Sequence, residues 1–140
     1  MTLRKADFYI VHAETSRNEL IKIKMNAKVE KRPLPLFDIF NQNKWSDRQA
    51  KDALDLNGNV ILFFGKVRPY KGLKYLLEAM PLVLSQIEAT LLIAGEFWED
   101  KRSYSKLIEK LSIGDHVKMV DRFIPNEDVE LYFQIGRAHV

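Results

Sequence analysis

The residues best equipped for chemistry lie within 59–74, NVILFFGKVRPYKGLK. An apolar run from Val60 to Phe64 stops at Gly65, and Lys66, Arg68 and Lys71 follow before Gly72 opens an amphipathic pattern. Arg68 offers a forked donor, Lys71 a point charge, and Gly65 lets a ligand approach the backbone. A continuous apolar run reads as a buried parallel strand, and the turn after its carboxyl end is where open α/β sheets take ligands. Cations there, beside the amino terminus of the next helix, suit phosphate oxygens. The chemistry indicated is a diphosphate clamp built from Gly65, Lys66, Arg68 and Lys71. Its rival is a solvated loop whose cations happen to cluster. Neither a GxGxxG fingerprint nor a P-loop occurs at this strand end, which counts against a dinucleotide dehydrogenase and a P-loop NTPase.

Two more strand ends fall at the same expected edge. LLIAGEFWED places Gly95, Glu96, Phe97 and Trp98 there, with Phe97 and Trp98 expected as a buried aromatic plug. MVDRFIPNEDV places Asp121, Arg122, Phe123 and Ile124 just past a strand, as a wall for a nucleobase or as packing. His12 follows the first strand and reads as a hydrogen-bonded structural residue, His116 as surface, and Glu99, Asp100 and Lys101 as a solvated loop. No spacing of His, Asp and Glu suggests a metal site, and no Ser–His–Asp or Cys–His arrangement can be argued.

These residues need a frame. Residues 6–11 and 27–32 read as strands, with a helix over 14–24 capped by Thr15 or Ser16. Pro33 and Pro35 favour an extended connector, and 33–40 is the candidate link between two structural units. A capped helix is expected over 46–54 and a turn at Asn57-Gly58. Then come a strand over 60–64 and a helix with Leu73, Leu76, Leu77, Met80, Leu84 and Ile87 inward, Pro81 kinking it or marking its late turn. Strands over 90–94 and 117–120 alternate with helices over 102–111 and 127–133, the last capped by Asn126. Alternation of this kind predicts an α/β fold with a Rossmann-like parallel sheet, flanking helices and right-handed crossovers.

Composition sets the outer bounds. The 140 residues have room for one ordinary domain, and 46% hydrophobic content suits a soluble core. A formal charge of +3 is too mild to argue for nucleic acid. The absence of cysteine excludes a disulfide framework or thiolate metal site and fits a cytoplasmic protein. No apolar stretch approaches the roughly 18 residues of a membrane span, and MTLRKADFYIVHAE does not read as a signal peptide.

Taken together, the chain resembles retaining, nucleotide-sugar-dependent glycosyltransferases of the GT-B fold, the group-1 or family-four type. FYIVHAETSRNEL is similar to the end of the acceptor-side domain and PLPLFDIF to the crossing into the donor-side domain. ILFFGKVRPYKGLKYLLEAMPLV is similar to the opening of the donor domain, and LLIAGEFWED and VDRFIPNEDVELYF to its next two strand-to-loop units. The resemblance implies that Arg68 and Lys71 grip the donor diphosphate and that Arg122, Phe123 and Ile124 lie against the nucleotide base. Many members carry arginine directly after the first glycine, whereas Lys66 stands there here and an arginine follows two positions later.

The implied function is sugar transfer, of hexosyltransferase type, from a nucleotide-diphosphate donor to a glycan, lipid or small acceptor, with retention and without a metal cofactor. The implied location is cytoplasmic or peripheral to the inner membrane. The family's later glycine-rich loop with two sugar-contacting glutamates does not occur here, nor does most of the acceptor domain. The expected organisation is a remnant of the N-terminal acceptor-side domain (1–35), a linker and connecting helix (36–57) and the first half of the nucleotide-sugar domain (58–134). Residues 135–140, IGRAHV, resemble a one-frame translation of a common sequencing adapter, the alternative being a tail in which Gly136 caps the preceding helix. Such a fragment is expected to be inactive by itself. Outside this class the rival is a non-catalytic nucleotide-binding or interaction module. A sugar-nucleotide epimerase, needing its own catalytic residues, is a weaker one.

Overall fold

The structure is a computed structural model and describes residues 6–34, 40 and 42–135. The chain divides into two compact units, Met1–Phe37 and Asp38–Val140. The first unit contains strand β1 (Phe8–Val11), helix α1 (Glu14–Ile23) and strand β2 (Lys28–Lys31), with β1 and β2 paired in parallel. Ala13 takes the N-cap position of α1 with no side-chain hydrogen bond, not Thr15 or Ser16. Glu14 opens the helix, and its carboxylate, held below the ordinary carboxylate range by hydrogen bonds from Lys31 and then Arg17, supplies the negative charge favoured in a first turn. His12 Nδ1 donates to the Arg32 carbonyl at 2.8 Å, a structural role.

The second unit opens with helix α2 (Asp47–Ala53), where Ser46 and Gln49 close a reciprocal capping box. Strand β3 (Asn59–Phe64), helix α3 (Leu73–Leu84), strand β4 (Ala89–Ala94), helix α4 (Lys101–Lys110), strand β5 (Val117–Val120) and the short helix α5 (Val129–Phe133) complete it. The three strands form a parallel sheet in the order β3-β4-β5.

Side-chain alternation along each strand feeds two cores. Ile61, Phe63, Leu91, Ile93, Val117 and Met119 face one layer, where Leu73, Leu77 and Met80 of α3 meet Tyr104 and Ile108 of α4. Val60, Leu62, Phe64, Leu92, Ala94 and Val120 face the other, with Ala50 of α2 and Val129 and Tyr132 of α5. Covered on both faces, β4 buries Leu91, Leu92 and Ile93 completely, which is why LLIA is apolar without alternation. Each such side chain contributes on the order of 2 kcal/mol by leaving water.

Several local expectations change. Pro81 falls in the last turn of α3, which ends at Leu84 and leaves Ile87 exposed rather than inward. Asp100 caps α4 by accepting from the Arg102 amide, and Glu99 accepts from the Tyr104 hydroxyl at 2.7 Å, so Glu99 and Asp100 are not simply solvated. Asn126 begins a short 3-10 turn before α5 instead of capping it. Ile135 is buried in the second core, and 136–140 lie outside the described residues. No helix among the described residues is long and apolar enough to cross a membrane.

Candidate functional site

The carboxyl ends of β3, β4 and β5 carry the three loops singled out in the sequence. The β3 and β4 loops are joined more closely than two connectors need be. The Gly65 amide donates to the Ala94 carbonyl at 2.8 Å and the Gly95 amide to the Val120 carbonyl at 3.0 Å, so the ladder runs past each strand end. Pairing resumes at a parallel bridge between Val67 and Phe97, with the Val67 amide donating to Glu96 and the Trp98 amide to Val67. Alternation then dictates the faces. Val67 is fully buried and Phe97 packs edge-on against Tyr104, while the flanking Lys66, Arg68 and Trp98 turn the other way.

Gly65 and Gly95 are required by backbone geometry. Gly95 adopts φ +142, and a Cβ there would lie 2.2 Å from the Gly65 carbonyl oxygen. Gly65 adopts φ +103, and a Cβ there would lie 3.0 Å from Lys71 Nζ, so the ammonium rests directly over the Gly65 backbone. Lys71 arrives at that position from a 3-10 turn, Pro69–Lys71, whose proline presets the first dihedral. No side chain caps the first turn of α3, which leaves its amides and their partial positive charge beside the loop.

Among the described residues, no carboxylate forms an ion pair with Lys66, Arg68 or Lys71. Lys66 Nζ and Arg68 Cζ instead sit 4.0 and 4.2 Å from the centroid of the Trp98 ring. Trp98 is therefore not the expected buried plug. It is 55% exposed, and of the two aromatics only Phe97 turns inward.

The third loop is tied to the second through Asp121. Its carboxylate accepts from Lys101 Nζ at 3.0 Å and from the Phe97 amide at 3.1 Å, and these bonds hold it below the usual carboxylate range. Lys101, expected as solvated loop, is the tether. Of the three residues expected near a base, Phe123 is 61% exposed, Ile124 is buried in the second core, and Arg122 is drawn toward α5 by Asp128 at 3.7 Å and the Tyr132 hydroxyl at 3.4 Å. Phe123 can offer a face to a ligand, Ile124 only its backbone.

Sequence reasoning missed Glu130. It is buried, and its two carboxylate oxygens accept from the Lys44 and Gln42 amides at 2.8 and 3.1 Å, fixing the segment before α2 against α5. A cleft of about 580 Å³ bounded by Asp47, Lys51, Asn59 and Ile135 lies at the amino end of β3, away from the cationic edge. Among the described residues no group of three or more His, Asp or Glu is placed to hold a metal ion.

No curated protein sequence matches the chain. Residues 44–140 match the family described as glycosyl transferases group 1, over a span that contains all three strand-end loops. The matched span covers more than half of the chain and contains the parallel sheet β3-β4-β5, and the chain belongs to the group 1 glycosyl transferases.

Proposed function

We propose that the carboxyl edge of this sheet binds the diphosphate of a nucleotide-sugar donor, as part of a retaining GT-B-type hexosyltransferase acting on a glycan, lipid or small acceptor. The observation that carries this reading is Lys71 Nζ resting over the Gly65 backbone in a loop whose three cations have no carboxylate partner among the described residues. In glycosyl transfer the bond between the anomeric carbon and the phosphate oxygen breaks. The diphosphate leaves with the electron pair, and an acceptor oxygen forms the new bond and loses its proton. The catalytic demand falls on the departing charge, and Arg68, Lys66 and Lys71 beside a helix terminus meet it without calling on a metal. The β5 loop, with Phe123 exposed, is assigned the base side.

Retention rests on the likeness of the loops to family-four enzymes, as does a cytoplasmic or membrane-peripheral setting. On the same basis the sugar-contacting glutamates and the acceptor cleft lie outside these 140 residues, so the isolated chain is expected to bind donor without transferring its sugar. Robust donor-dependent transfer by the purified chain would overturn that last point.

Calorimetry with UDP, GDP and ADP tests the clamp. A Lys or Arg hydrogen bond to phosphate is worth about 1.5–3 kcal/mol, so Arg68→Ala with Lys71→Ala is expected to weaken the preferred nucleotide by more than about tenfold. Equal binding by the double variant and the wild type would remove the clamp.

A further inference from the structure

Trp98 has more to do than fill space. Half exposed, it gains little from burial, yet two cations of a neighbouring loop lie at cation–π distance from its ring. The register explains how they meet. With Val67 bridged to Phe97, Trp98 stands opposite Arg68 and diagonal to Lys66, all on the outward side of the paired loops. Glu96, the carboxylate best placed by sequence to neutralise these cations, is instead 3.4 Å from the indole Nε1 as its acceptor and makes no ion pair with either. Both cations are thus oriented by a surface that leaves their full charge in place, which a carboxylate partner would not do.

Resting on the diphosphate reading above, we propose that Trp98 is a positioning residue of the phosphate site: its ring holds the Lys66 and Arg68 head groups in place for the donor diphosphate. A lysine or arginine loses more rotamer freedom than most side chains when fixed. A ring that restricts the cations beforehand removes part of that cost from binding. The same attraction confers specificity of substitution, because a phenyl ring retains a π face and leucine of similar bulk does not.

The test uses inorganic pyrophosphate as the probe, with calorimetry on Trp98→Leu, Trp98→Phe and the Arg68→Ala/Lys71→Ala double variant, and a thermal melt of each. Trp98→Leu is expected to bind pyrophosphate about three- to tenfold more weakly, and Trp98→Phe to recover most of the loss. Melting temperatures of both should stay within about 2 °C of wild type, since an exposed side chain carries little stability. Wild-type affinity in Trp98→Leu overturns the proposal, as does a Trp98→Phe variant as weak as Trp98→Leu. If the double variant loses binding while Trp98→Leu does not, the diphosphate reading stands and only the role of Trp98 falls. If the double variant binds like wild type, both fall together.

Discussion

Replacing Gly95 with alanine is the sharpest perturbation of this edge, because two costs coincide on one atom. The new Cβ would sit 2.2 Å from the Gly65 carbonyl oxygen and 2.6 Å from its carbon, and these are backbone atoms that cannot rotate away. The residue must also hold φ +142, where an L side chain is strained. Strain of that kind costs about 1–3 kcal/mol and overpacking of a rigid neighbour a similar amount, so Gly95→Ala should lose about 2–6 kcal/mol. Gly65→Ala meets only the flexible tip of Lys71 at 3.0 Å; it should cost about 1–2 kcal/mol in backbone strain while displacing the ammonium. At Gly114 a Cβ meets nothing within 4 Å, and alanine should change stability by no more than about 0.5 kcal/mol. Urea unfolding followed by tryptophan fluorescence reads the right unit, since Trp45 and Trp98 both lie in Asp38–Val140. A Gly95→Ala loss below about 1 kcal/mol, or one smaller than that of Gly65→Ala, would refute the close approach of the two loops.

Other outcomes follow from single contacts. Ser46→Ala removes the capping box of α2 and should cost about 1 kcal/mol by the same urea assay, with helix loss confined to residues near 47–53. Glu130→Gln sets an amide NH₂ against one of two backbone donors, and should cost about 1–3 kcal/mol and speed hydrogen exchange at the Gln42 and Lys44 amides; unchanged exchange there would argue against the buried clasp. Burial, reinforced by the Glu99 hydrogen bond, pushes the Tyr104 hydroxyl up to about 12 from 10.0. The folded state therefore keeps a proton that the unfolded chain releases, so this contribution is complete below pH 10.0 and is lost as pH rises from there to about 12. Tyr104→Phe should flatten that part of the stability-versus-pH curve relative to wild type.

The sheet was legible because its rule is local. The apolar runs that fill most of β3 and β4, each closing on glycine, mark strands covered on both faces, and the helices between them show their inward residues at helical spacing. The cations were legible as a cluster for the same reason. What could not be read was partnership across the loops. The pattern Lys66-Val67-Arg68 against Glu96-Phe97-Trp98 is a period-two alternation that continues past both glycines, yet treating glycine as a stop hid it and made Trp98 look like core. Glu130 was invisible for a different reason. It is the single charged residue of the otherwise apolar and aromatic α5, where a glutamate reads as the solvent-facing position, and its partners are backbone amides some 86 to 88 residues away, which no side-chain pattern encodes.

The register across the glycine pair ties these features into one device. Partners differ by the same 30 residues at Phe64 and Ala94 and again at Val67 and Phe97, so the pairing breaks at the glycines and resumes without a slip. A side chain at Gly95 would prevent the two chains from closing at that point, whereas one at Gly65 would meet only the tip of Lys71. Resuming in phase is what sends Val67 and Phe97 inward, anchoring the loops in the first core, and sends Lys66, Arg68 and Trp98 out. Lys66 and Arg68 therefore sit on an extension of the sheet rather than on free connectors, with Lys71 Nζ brought close to Gly65 from the following 3-10 turn. A charged group on such an extension is held before a ligand arrives, and preorganised charge is the form of electrostatic stabilisation that the diphosphate binding proposed above calls for.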